Sequence, residues 1–193
     1  MPDRKPRDLP SSSSFSTPHV QSLAGARHLL ALLEQQTATV TARAAELRAA
    51  GQNEDLAYMD GALERQALSE AVQVLAAMTV EGAVNLLGVL VLGEEVFYRS
   101  LERQPLREKL SQLLSTLGPG NEAVHSELHS LVMNLSQARN AFIHPKPQEG
   151  SPRDRQDRAP TLSNARQSVD ETARVLALLQ RLSYLYRPFF HVW

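Results

Sequence analysis

Residues 124–145 read VHSELHSLVMNLSQARNAFIHP. Val124, Leu128, Leu131, Leu135, Ala138 and Phe142 recur at steps of four and three, the repeat of one face of an α-helix. The stretch then runs into a proline, which disfavours the α conformation in the residue before it, so the helix is expected to end at His144. No alternating strand pattern competes anywhere in the chain, and no internal repeat is visible. An all-α helical bundle is therefore expected.

Upstream, Leu23, Ala26, Leu30, Leu33, Thr37, Val40, Ala44 and Leu47 form the stripe of a long amphipathic helix that Gly51 ends. A second long helix is expected over about 55–92, growing more apolar along its length, with Asp60-Gly61 as a kink or turn and Gly93 as its stop. Two shorter helices follow, about 94–103 and 106–117, the latter opened by Pro105 and closed by Gly118-Pro119-Gly120. Beyond His144, prolines frame the alternating charges Arg153-Asp154-Arg155-Gln156-Asp157-Arg158, which bury too little apolar surface to order themselves; residues 145–160 read as a mobile loop. A last helix over about 162–186 packs through Val169, Ala173, Leu176 and Leu179. Pro188 terminates it before the aromatic tail, residues 188–193. Residues 1–18, rich in Pro and Ser, read as a disordered amino-terminal lead, leaving residues 19–187 as a single helical domain.

The chain has 193 residues, 42% of them hydrophobic and 21% charged, which is globular composition. Twenty Lys plus Arg against twenty-one Asp plus Glu give a net charge of -1, so no overall basic field gathers nucleic acid and any RNA contact must be local. The absence of cysteine removes thiolate chemistry and cysteine-ligated zinc, and fits a reducing compartment. The lead lacks the apolar core of a signal peptide. Ala71 to Leu92 approaches membrane-spanning length, but Gln73, Thr79, Glu81 and Asn85 interrupt it, so a buried bundle helix is expected, with no membrane contact and a cytoplasmic location.

The chemistry is concentrated where helix 124–144 ends. Asn140 and His144, four apart, share a face, and the long side chain of Arg139 reaches over the same surface. Arg presents a planar fork that matches phosphate oxygens; a histidine at a helix C-terminus is stabilised as imidazolium and can donate a proton near neutral pH. The plain alternative is that Arg139 solvates the last carbonyls and His144 caps the helix. Glu81 and Asn85, four apart on an otherwise apolar helix, need partners; Glu81 either pairs with Arg139 or faces solvent or another arginine. His125 and His129 are also four apart, but no cysteine or suitably placed acid completes a zinc site, so no metal and no cofactor are expected. Lys146 is a candidate RNA contact, although the acids interleaved among the basic residues after it suit a solvated linker.

Arg139-Asn140-Ala141-Phe142-Ile143-His144 resembles the hallmark of the HEPN family: Arg, a polar residue that is often Asn, variable positions, then His at the end of a bundle helix. Glu81-Gly82-Ala83-Val84-Asn85 is similar to the Glu-x-x-x-Asn signature of many members, and Lys109 falls where such sequences often have Lys. The resemblance spans roughly 64–146. It implies a helical bundle, a homodimer in which two Arg-His motifs line one cleft, and often metal-independent endoribonuclease activity. Non-catalytic members also exist. Lys146 stands where the subgroup paired with a nucleotidyltransferase has Tyr, so regulation through that tyrosine is not expected.

The function expected is a metal-independent endoribonuclease. The 2′-hydroxyl attacks the adjacent phosphorus, His144 moves the proton, Arg139 stabilises the charge and Asn140 orients either group, with Glu81 and Asn85 in support. The resemblance alone adds a defence or toxin role with a protein partner or antitoxin. The alternative is a non-catalytic HEPN module for dimerisation or ligand binding within a larger assembly.

Overall fold

In a computed structural model, residues 18–117, 122–143 and 161–182 are described. They form seven helices and no strand: α1 (Pro18–Ala49), α2 (Asp55–Met59), α3 (Ala62–Leu92), α4 (Glu94–Ser100), α5 (Leu106–Leu117), α6 (Glu122–Ile143) and α7 (Leu162–Leu182). The expected lead up to residue 17, the mobile loop 145–160 and the aromatic tail lie outside the described residues.

Helix α3 is the hub, with α1, α4, α5, α6 and α7 packed on it. Its composition alone would let it cross a membrane, and it is the one described helix for which this holds. Its apolar character has a use within the bundle, since Val72, Ala76, Val80, Ala83, Val84 and Leu87 are all fully buried against neighbouring helices. Helix α1 runs antiparallel to α3: Gly25 meets Leu75, and Gln36 Nε2 donates to Glu64 at 2.8 Å. Helix α7 runs parallel to α3, with Ser69 Oγ donating to the Thr161 carbonyl and the Thr172 hydroxyl reaching the Ala76 carbonyl.

Two apolar clusters result. The smaller one joins Ala26 and Leu33 of α1, Val72 of α3, and Ala165 and Val169 of α7. The larger surrounds the carboxy-terminal half of α3 with Phe97 and Leu101, Leu110 to Leu114 of α5, Val124 to Leu135 of α6 and the second half of α7.

The second long helix is broken where Asp60-Gly61 suggested a turn, because Gly61 adopts a left-handed backbone (φ 64°) that L side chains rarely tolerate. Helix α4 is shorter than the sequence suggests and ends at Ser100.

Gly88 has a different role. A Cβ there would lie 2.4 Å from two carbons of the buried Phe97 ring, so the absent side chain is what lets α4 seat on α3. Alanine would gain about 1 kcal/mol in helix propensity against an overpacking cost of about 1–3 kcal/mol, toward the upper end here because the 2.4 Å approach is to a ring that is itself buried. Gly88→Ala is expected to destabilise the protein by about 1–2 kcal/mol, read from urea denaturation.

Candidate functional site

The larger apolar cluster carries a set of charges on its surface. Glu81 and Asn85 stand one turn apart on α3. Arg139, near the end of α6, places Nη1 3.0 Å from Glu81 Oε2, with both side chains about one-third exposed (36% and 34%). Of the alternatives open to Glu81, the pairing with Arg139 is the one found, and it sits at the wall of the bundle rather than in its interior.

Lys109 completes the arrangement. On α5 it occupies a position in the apolar stripe Leu106, Leu110, Leu113, Leu117, and it is 3% exposed. Its Nζ donates to Asn85 Oδ1 at 2.9 Å and lies 5.9 Å from the centre of the Phe97 ring, within cation–π range. Burial holds the Lys109 pKa below its ordinary 10.5, partly opposed by the charges of Glu81 and Glu102. The folded protein thus binds fewer protons than the unfolded chain between that depressed pKa and 10.5, so this group's contribution rises with pH across the window. Urea melts of wild type and Lys109→Met should show the difference moving in favour of wild type as pH climbs from neutrality toward 10.5.

The two cations Arg139 and Lys109 are opposed by the carboxylates of Glu81 and Glu102. Arg139 Nε is buried and has no hydrogen-bond partner among the described residues. A buried N–H left open is costly, at about 1–3 kcal/mol.

No family model, curated protein or solved structure matches this chain.

The structure brings together Glu81, Asn85, Lys109 and Arg139 from three helices. Asn140 does not join them: it is exposed on the neighbouring flank of α6. His144 and Lys146 lie outside the described residues, and Ile143 is the last described residue of α6. The burial of Lys109 had a sequence signal, a lone charge in a leucine stripe; its bond to Asn85 did not. His129 Nε2 lies 3.4 Å from Ser111 Oγ, and its pKa is held down by burial and by the charges of Arg107 and His125. Among the described residues no group of three or more His, Cys, Asp or Glu is placed to hold a metal ion.

Proposed function

We propose that this protein is a HEPN-type endoribonuclease that cleaves RNA without a metal, in a cleft completed by a second copy of the chain. The observation that carries this reading is the cluster in which Arg139 is held by Glu81 beside the Lys109–Asn85 pair. In that setting the guanidinium is oriented before any substrate arrives, and preorganised charge is the largest source of transition-state stabilisation available to a site of this kind. His144 follows Ile143 directly in the sequence and supplies the acid–base group. Attack of a 2′-hydroxyl on the adjacent phosphorus breaks the P–O5′ bond, leaving a 2′,3′-cyclic phosphate and a 5′-hydroxyl. His144 moves the proton, and Arg139 offsets the charge that develops on the phosphate oxygens.

Ile143, 42% exposed, stands one turn beyond Arg139 on α6 and offers apolar area beside the site for the second protomer. The same ion pair that orients Arg139 also ties α6 to α3, and this favours, as a second reading, a non-catalytic module of the same family in which the charges serve the fold. Incubation of the full-length protein with mixed RNA in EDTA separates the two. Cleavage to products with cyclic phosphate ends supports the nuclease, and intact RNA supports the structural module.

A further inference from the structure

The corner between α1 and α3 holds four of the nine exposed large hydrophobic side chains among the described residues. Leu56, Tyr58, Met59 and Leu63 are 59%, 46%, 74% and 82% exposed. Single exposed apolar residues are ordinary, but four between residues 56 and 63 make a patch, and a rimmed patch is the mark of an interaction site. The rim here is net negative, with four carboxylates against the two arginines Arg48 and Arg65. Glu54, Asp55, Asp60 and Glu64 bracket the patch, and no Lys or Arg occurs between Arg48 and Arg65. Both of those arginines are committed locally. Arg48 pairs with Glu54, and Arg65 donates through Nη1 to the Asp60 carbonyl and through Nη2 to the Tyr58 carbonyl, each at 2.6 Å. Asp55 and Asp60 make no ion pair among the described residues.

The two Arg65 bonds and the left-handed Gly61 shape the turn that joins α2 to α3. The carboxylate rim repels nucleic acid and anionic membrane alike, and it attracts cations.

The geometry points to this α2 corner as a docking site for a protein partner, and specifically for an amphipathic helix that carries Lys or Arg beside its apolar stripe. Leu63 and Met59 enter the stripe, while Asp55 and Asp60 meet the flanking cations. This inference is independent of the ribonuclease reading, because none of its residues belongs to the Glu81–Arg139 cluster.

The test is a fluorescence anisotropy titration of the full-length protein against a labelled leucine–lysine amphipathic peptide of about five helical turns. A peptide with the same leucines and with glutamate for lysine is run beside it. Saturable binding of the basic peptide is expected, weakening as salt is raised. It should fall at least about ten-fold in Met59→Ser/Leu63→Ser, since truncating central apolar residues of an interface removes most of its affinity. In Asp55→Asn/Asp60→Asn the salt dependence should flatten. Residues this exposed contribute little to the core, so melting temperatures should be unchanged; if the double variant melts lower, Leu63→Ser alone and the Asp variants carry the comparison. No binding, equal binding of the acidic peptide, or full binding by the apolar variants would overturn the proposal. So would self-association, or attachment to anionic vesicles, that Leu63→Ser removes, since the occupant would then be a second copy or a lipid surface.

Discussion

Replacing His144 with alanine is expected to lower RNA cleavage by about 10²–10⁴-fold, the range that loss of a positioned acid–base group produces. Stability should change by about 1 kcal/mol or less, the cost expected if His144 ends the helix as its place before Pro145 in the sequence suggests. The gap between the two effects is the diagnostic quantity. A residue that served only the fold would lose activity and stability together, whereas a proton donor loses activity alone. Cleavage of a defined oligonucleotide in EDTA, beside a thermal melt of the same sample, measures both. Undiminished cleavage by well-folded His144→Ala would end the ribonuclease reading.

Arg139→Ala is expected to abolish cleavage as well, and to lower stability measurably. The magnitude follows from where the ion pair sits. A fully exposed pair is worth about 0–1 kcal/mol, and breaking a fully buried one costs about 3–5 kcal/mol. With Glu81 and Arg139 each about one-third exposed, the loss should be about 1–2 kcal/mol. Much of it is the penalty of leaving Glu81 half-buried without its cation, so adding Glu81→Gln should restore part of the stability and none of the activity. Arg139→Lys should recover stability better than cleavage, since an ammonium can balance Glu81 but cannot reproduce the planar fork at a phosphate. Cleavage that survives Arg139→Ala would remove the cluster from the mechanism.

Much of this architecture is legible from periodicity. The stripe from Leu23 to Leu47 marks the inward face of α1, where none of its residues is exposed, and Pro105 with Leu117 bounds α5 as observed. Glu81 was legible only in part: a carboxylate in an apolar helix demands a partner, but Arg139 stood beside solvent or another arginine as the alternatives. What the sequence conceals is geometry between helices. The Lys109–Asn85 bond depends on how α5 crosses α3, and the separation of Asn140 from the cluster depends on the rotation of α6; neither is written in spacing along one helix. The α2 corner is hidden for another reason. Leu56, Met59 and Leu63 carry the same apolar signal as core residues, and only the end of α1 at Ala49, followed by a turn, leaves them uncovered.

The two apolar clusters are unequal, and they divide the molecule into regions of different local stability. Where few apolar contacts hold helices together, transient opening costs less free energy than global unfolding, so the end of the bundle built on Ala26, Leu33, Val72, Ala165 and Val169 should breathe more readily. The Glu81–Arg139 cluster rests on the other end, where α3 is gripped from several sides. The charged site can therefore keep its shape while the far end of the same helix loosens. A protein bound at the α2 corner would damp that loosening, so occupancy there would be felt as a change in the motion of α1 and the start of α3 while the Glu81–Arg139 pair kept its geometry.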